Sequence, residues 1–168
     1  ASGPGLDWYE VNTDDWSGTN QLLLTSPDAD IANADAATAL SNNWYFGITL
    51  TPNSTMDIGS IEADWSRGGS SGVRGWFVRS SLDDYATDLY TNETPNGTLT
   101  GLSHTKIDLT GFTGLSTSVT FRFYIYSASQ SYYMEFQNIQ INGPDDIVPA
   151  SGSWTGHYPV VINGLDLG

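Results

Sequence analysis

The stretch VTFRFYIY, residues 119–126, carries the strongest strand signal in this chain. Large apolar residues alternate strictly with Thr, Arg and Tyr, and a period of two is that of a β-strand with one buried face. β-Branched and aromatic side chains also favour a pleated surface. We therefore expect a strand whose apolar row faces a core, and that row consists of Val119, Phe121, Phe123 and Ile125.

Other segments repeat this alternation on both sides of the stretch. Strands are predicted over Trp44 to Thr51, Ile58 to Trp65, Gly75 to Ser81, Thr105 to Leu109 and Tyr133 to Ile141, with weaker signals over Leu6 to Val11 and Gln21 to Thr25. Within the last of the strong segments the apolar phase changes side, which predicts a β-bulge near Gln137–Asn138. Helical propensity is confined to Ile31 to Leu40, a segment without a clear apolar stripe.

Short strands joined by Gly, Ser and Asn turns predict an all-β fold, an antiparallel β-sandwich of jelly-roll type. The turn Gly143-Pro144-Asp145-Asp146 follows the last strong strand, so the sandwich domain is assigned to residues 1–143. Residues 144–168 form a C-terminal extension. Its apolar end, from Tyr158 to Leu167, is either a final strand of the same sandwich or a strand that completes a neighbour's sheet.

Charge excludes several classes of partner. The chain has 168 residues, with 5 Lys and Arg against 19 Asp and Glu, for a net charge of −14. Nucleic acid and anionic lipid both require clustered basic residues, so neither is an expected partner. No apolar run is long enough for membrane insertion. The absence of cysteine and the start Ala-Ser-Gly-Pro-Gly are compatible with a secreted mature chain of bacterial origin.

The runs WYFGITLTP, IGSIEADWSRGG, WFVRSSLDDY, LTGLSTSVTFRFYIYSAS and MEFQNIQING, between Trp44 and Gly143, resemble exported bacterial jelly-roll proteins of PEP-CTERM type. Their architecture is similar to that of LamG-like and carbohydrate-binding modules. The resemblance implies a secreted β-sandwich associated with cell surfaces and exopolysaccharide. The family's Pro-Glu-Pro sorting tail is not present in the sequence, and Gln137-Asn138-Ile139 stands where the family usually has Asp-Asn-Ile.

The same resemblance implies a structural calcium ion, which a first-strand carboxylate and the Asp at the position of Gln137 would hold. Glu10 is the first-strand candidate in this chain, and Asp28 with Asp30 has the alternating acidic spacing of a loop site. We therefore expect calcium at Glu10, Asp28 and Asp30. The alternative is a solvated acidic loop.

Exposed aromatic rings are the second candidate site, because sugars stack their C–H faces on such rings. Trp44, Trp76 and Phe121 fall on core-facing strand positions and are set aside. The glycan-binding candidates are Trp16, Tyr85, Tyr90, Tyr132, Tyr133 and Trp154, with Arg67 and Arg74 as basic donors. Arg79 could also serve, or could form an ion pair with a sheet carboxylate such as Asp64.

Catalytic signatures are lacking in the sequence. Neither His104 nor His157 lies in a Ser-His-Asp or Gly-x-Ser-x-Gly context, so we expect no enzymatic activity. Two functions from different classes stay open. The first is a non-catalytic, secreted β-sandwich that binds extracellular polysaccharide. The alternative is a structural subunit of an extracellular fibre or matrix, whose partners are other copies of itself joined by strand donation.

Overall fold

A computed structural model of the chain describes residues 7–10, 22–25, 35–67, 73–94, 101–127 and 134–144. The elements are β1 (Asp7–Glu10), β2 (Leu22–Thr25), α1 (Ala36–Ser41), β3 (Tyr45–Leu50), β4 (Met56–Arg67), β5 (Arg74–Ser80), β6 (Tyr90–Thr94), β7 (Ser103–Leu115), β8 (Val119–Ser127) and β9 (Met134–Asn142). A short 3₁₀ turn, Ser81–Asp83, follows β5. Among the described residues, no helix has the length and hydropathy needed to cross a bilayer.

The strands form two sheets, one of five strands in the order β1-β2-β9-β4-β7 and one of four in the order β3-β8-β5-β6. Each pair of neighbouring strands is antiparallel. The pairs are also nested along the chain, since β2 joins β9, β3 joins β8, β4 joins β7 and β5 joins β6. This nesting, with the strands of each pair in the same sheet, is the jelly-roll arrangement. The predicted all-β sandwich is therefore confirmed.

The core contains a layer of aromatic rings that contact one another between the two sheets. Phe46 and Phe123 stack with centroids 4.7 Å apart, and Trp76 meets Phe136 edge-on at 5.1 Å. Phe136 belongs to the five-stranded sheet and the other three rings to the four-stranded sheet. The predicted apolar row of β8 is fully buried, with Val119, Phe121, Phe123 and Ile125 each 0% exposed.

The bulge predicted in the last strand is present. Glu62 of β4 pairs with Gln140 of β9, whereas Asp64 pairs with Gln137, so β9 has one extra residue between the two pairs. Asn138 lies in this interval with φ of 49°, in the left-handed region that Asn tolerates better than most residues. The phase change in the sequence thus corresponds to a register shift in the sheet.

The segment with predicted helical propensity, Ile31 to Leu40, is described in part. Its described part is α1, whose N-cap residue is Asp35. The Asp35 carboxylate accepts a hydrogen bond of 2.8 Å from the backbone N–H of Thr38, which satisfies one of the free donors at the helix start. Ala39 is fully buried, and the helix packs against β8. Residues 31–34 lie outside the described part of the chain.

Candidate functional site

The outward surface of the four-stranded sheet has an unusual concentration of aromatic and guanidinium groups. The side chains that alternate with the buried row of β8 point to this surface, and Arg122 is one of them. We call Tyr45, Tyr85, Arg122, Arg79 and Asp88 the tyrosine–arginine face. Tyr45, Tyr85, Arg79 and Arg122 are each partly exposed, and Asp88 is exposed.

The centre of the face is a guanidinium group in contact with two tyrosine rings. The Cζ atom of Arg122 lies 4.3 Å from the ring centroid of Tyr45 and 3.6 Å from that of Tyr85. Both distances are well inside the range of cation–π attraction. Tyr124 continues the surface under Tyr45, with centroids 5.2 Å apart, and stacks on Phe77 at 4.7 Å. The exposed rings therefore rest on a buried aromatic base.

The backbone conformation that holds Tyr85 over Arg122 is strained. Asp84 and Tyr85 have φ of 57° and 59°, two consecutive non-glycine residues in the left-handed region. Each such residue costs about 1–2 kcal/mol, and this strain is typical of functional sites. Two hydrogen bonds hold it: Tyr85 N–H donates to the Ser80 carbonyl at 2.9 Å, and Arg79 Nη1 donates to the Tyr85 carbonyl at 2.9 Å.

Two carboxylates near the face, those of Asp88 and Asp83, are engaged by neighbouring groups. Asp88 Oδ1 lies 2.5 Å from Arg79 Nε. Asp83 accepts hydrogen bonds from the hydroxyl and the backbone N–H of Thr87 and from the N–H of Ala86. The hydrogen bond from the Thr87 side chain is the main cause that lowers the pKa of Asp83. Arg79 thus forms an ion pair, which was one of the two roles expected for it. Its partner is Asp88, because Asp64, the carboxylate named as an example, belongs to the other sheet.

The outward surface of the five-stranded sheet is polar. Asp64 Oδ1 lies 2.8 Å from His104 Nδ1, and Asp64 Oδ2 accepts a hydrogen bond of 2.9 Å from the Asn138 amide. Glu62 is 3.6 Å from His104 Nε2 and 3.9 Å from Lys106 Nζ. Within the described ranges, no group of three or more His, Asp and Glu side chains has an arrangement that could hold a metal ion.

Two predicted glycan contacts, Arg74 and Tyr90, lie on the inward side of the four-stranded sheet. Arg74 is 0% exposed, because β5 begins at this residue and Arg74 shares the buried row of Trp76. The Tyr90 ring packs 4.7 Å from Trp76, and its hydroxyl lies 3.4 Å from Thr105 Oγ1. The expectation that Arg74 presents its side chain to a ligand at the surface is corrected accordingly. Tyr90 is partly exposed, and its glycan contact stays a prediction.

The other predicted site residues fall outside what the structure describes. Trp16, Tyr132, Tyr133 and Trp154 are among the glycan candidates, and Asp28 and Asp30 are the loop candidates for calcium. For Arg67 and Glu10 only the backbone is described. Calcium at Glu10, Asp28 and Asp30 therefore stays a prediction, and so does strand donation by the tail, since residues 145–168 are outside as well.

Of the predicted aromatic contacts, Tyr85 lies on the tyrosine–arginine face. Two residues of that face, Tyr45 and Arg122, were not among the candidates. Their signal was present in the sequence, because both occupy the outward phase of strongly alternating strands. Such residues cannot be identified from the apolar positions of a strand alone.

Comparisons with known proteins add little to this picture. No protein-family model matches the chain, and no curated protein matches it. Among solved structures, a mutant of a family 29 carbohydrate-binding module, used to probe ligand recognition, is similar to it, with 15% sequence identity and a TM-score of 0.37. The match covers 83% of this chain and 84% of that one. The fold assignment rests on the strand pairing described above.

Proposed function

We propose that the chain is a non-catalytic carbohydrate-binding β-sandwich of the cell exterior, and that its glycan binds the tyrosine–arginine face. The observation that carries the proposal is the contact of Arg122 with both Tyr45 and Tyr85, on a surface that stays partly exposed. Sugar rings present apolar C–H faces and polar edges. A surface for them therefore needs flat rings next to hydrogen-bond donors.

The surface is organised before a ligand arrives. The Arg79–Asp88 ion pair and the hydrogen bonds of the Tyr85 backbone with Ser80 and Arg79 hold the loop that carries the Tyr85 ring. Arg122 in turn holds the two tyrosine rings around one guanidinium. A surface ordered in this way loses less conformational entropy on binding, which raises affinity for a given contact area.

Binding without hydrolysis is proposed because two acidic groups beside the face have structural partners. Asp88 is paired with Arg79, and Asp83 is engaged by Thr87 and Ala86. A glycosidase uses two carboxyl groups about 5–9.5 Å apart across the sugar, free to exchange protons. Carboxylates committed to ion pairs and turn hydrogen bonds are poor candidates for that role.

Tyr85→Ala and Tyr45→Ala test the proposal. Against a panel of soluble neutral and acidic polysaccharides, each variant should bind at least about tenfold more weakly than the wild type, which corresponds to about 1.4 kcal/mol. Affinity electrophoresis identifies the bound glycan and titration calorimetry gives the Kd.

Leu102→Ala is the matched control, since Leu102 is 48% exposed and lies just before β7 of the other sheet. It should leave the Kd unchanged. Thermal melting verifies that all variants are folded. Equal affinity of the wild type and both tyrosine variants would exclude this face, and a panel without any bound glycan would exclude the function.

A further inference from the structure

We infer that Arg122 recognises an anionic group of the ligand, so that the glycan bound at the tyrosine–arginine face is an acidic one that carries uronate carboxylates. This inference rests on the proposed function and specifies its substrate class. It comes from the neighbours of the Arg122 guanidinium. These are aromatic rings, whereas Arg79 and Lys106 have carboxylate neighbours.

Apart from Arg122, the described arginine and lysine side chains on the outward sheet surfaces have carboxylate partners. Arg79 pairs with Asp88, and Lys106 approaches Glu62 at 3.9 Å. Among the residues that the structure describes, no carboxylate lies within salt-bridge distance of Arg122. Its charge instead faces the rings of Tyr45 and Tyr85. The chain has a net charge of −14. An arginine that contacts aromatic rings and no described carboxylate is therefore a distinctive feature.

Arg122 retains N–H donors that have no hydrogen-bond partner among the described residues. Its hydrogen bond to the Tyr124 hydroxyl is long, at 3.5 Å, and uses one of five N–H groups. All N–H donors of a guanidinium lie along its in-plane edge. The edge is a planar fork that matches two carboxylate oxygens, and such charge-assisted pairs are about twice as strong as neutral hydrogen bonds.

The position of Arg122 also indicates where the carboxylate of the ligand would bind. A uronate ring stacked on Tyr85 or Tyr45 brings its carboxyl group beside the guanidinium that both tyrosines contact. The ring would supply apolar contact and the carboxylate would supply specificity. At about 0.15 M salt the Debye length is about 8 Å, so the distant acidic residues are screened while a direct ion pair is not.

Paired oligosaccharides test this inference. Oligomers of galacturonate, guluronate and glucuronate are each compared with the carboxyl-reduced oligomer of the same length, in which a neutral CH₂OH group replaces each carboxylate. Calorimetry at about 0.15 M NaCl should show at least one uronate oligomer that the wild type binds about tenfold or more tighter than its reduced partner. Arg122→Gln should abolish this ratio. The ratio is taken within one variant, so it is independent of any change in affinity that both oligomers share.

Two further variants distinguish the guanidinium of Arg122 from positive charge in general. Lys106→Gln removes the same charge from the other sheet and should leave the ratio unchanged. Arg122→Lys retains the charge without the planar fork and should lower the ratio, and it serves as the test if Arg122→Gln does not fold.

A ratio that survives both Arg122 variants, or falls equally in Lys106→Gln, would overturn the inference. So would a wild type that prefers the reduced oligomers, or that binds only neutral glycans of the panel through Tyr85. In these last two cases the proposed function would stand. A wild type that binds no glycan of the panel would overturn both this inference and the proposed function.

Discussion

At the residue scale, Asn138 shows how a local irregularity joins three strands. Its left-handed backbone forms the bulge in β9, and its amide donates to Asp64 of β4, which in turn contacts His104 of β7. Asn is suited to both tasks, since its short polar side chain tolerates positive φ and has two donors. The bulge followed from the apolar phase of the sequence. The partner of the amide did not, because it depends on how the three strands are aligned.

Asp64 gives this cluster a dependence on pH. The hydrogen bond from Asn138 is the largest cause that lowers its pKa, followed by the contact with His104. A carboxyl group whose pKa is lower in the folded state stabilises the fold above its unfolded pKa of about 3.9, and this contribution disappears as the pH falls through the folded value. The Asp64 side chain is 27% exposed, so we expect about 0.5–1 kcal/mol.

Asp64→Asn should therefore be less stable than the wild type by that amount at pH 7 and equal to it near pH 2. Urea unfolding at pH 7, 4 and 2 measures the difference. Asp108→Asn serves as a control on the same sheet, because Asp108 is exposed and bonds only to the nearby Thr110 N–H in the described structure. A difference between wild type and Asp64→Asn that is the same at every pH would exclude this origin.

At the element scale, the sequence predicted strands where apolar alternation is strong and missed β6. The inward positions of β6 include Tyr90 and Asn92, opposite Val78 and Trp76. These polar groups are satisfied in part within the sandwich, since the Asn92 amide donates to the Tyr90 hydroxyl at 3.2 Å. An edge strand with polar inward residues has no apolar signature. Its existence is determined by the neighbour, β5, rather than by its own sequence.

Glycine has a specific role where β5 and its neighbours meet. The ring of Tyr126 passes over Gly75, and its hydroxyl donates to Glu93 of β6 at 3.1 Å. A Cβ atom at Gly75 would lie 2.3 Å from the Tyr126 hydroxyl and 2.5 Å from the Asn92 carbonyl oxygen. The second of these atoms belongs to the backbone and has little room to move. The strand therefore requires glycine at this position.

We expect Gly75→Ala to lower the free energy of unfolding by about 1–3 kcal/mol, the range found for overpacked sites. Gly111→Ala in β7 is the matched control, since no heavy atom lies within 4 Å of its added Cβ. That change should be neutral or slightly stabilising. Chemical denaturation compares the two variants with the wild type. Equal stability of the two would mean that the Tyr126 ring does not need the space above Gly75.

At the scale of the whole molecule, the nested pairing of strands determines where the candidate site forms. Tyr45 and Arg122 are far apart in sequence but adjacent on the sheet, because β3 pairs with β8. Tyr85 joins them through the turn that follows β5, the other neighbour of β8. Sequence spacing predicted a sandwich and its buried residues. It could not give the strand order, and without the strand order the tyrosine–arginine face cannot be recognised.

Cohesion between the two sheets depends on rings that cross the core, and Phe136 makes the most such contacts among the described phenylalanines of the five-stranded sheet. Its ring lies 5.1 Å from Trp76, 5.6 Å from Phe46 and 6.4 Å from Phe123, all in the opposite sheet. Phe112, by comparison, meets one ring of that sheet, Phe121, at 5.6 Å. Phe136 is also more deeply buried, at 1% exposure against 9%.

We therefore expect Phe136→Ala to cost about 3–5 kcal/mol, which is a large part of the stability of a typical domain. Phe112→Ala should cost less, because its ring contacts fewer partners and its site is closer to solvent. Urea unfolding followed by near-ultraviolet circular dichroism reports on the packing around Trp76, and far-ultraviolet ellipticity reports on the sheets. In a single cooperative sandwich both signals should shift together. A Phe136→Ala variant no less stable than Phe112→Ala would show that the sheets are held together by other contacts than this ring layer.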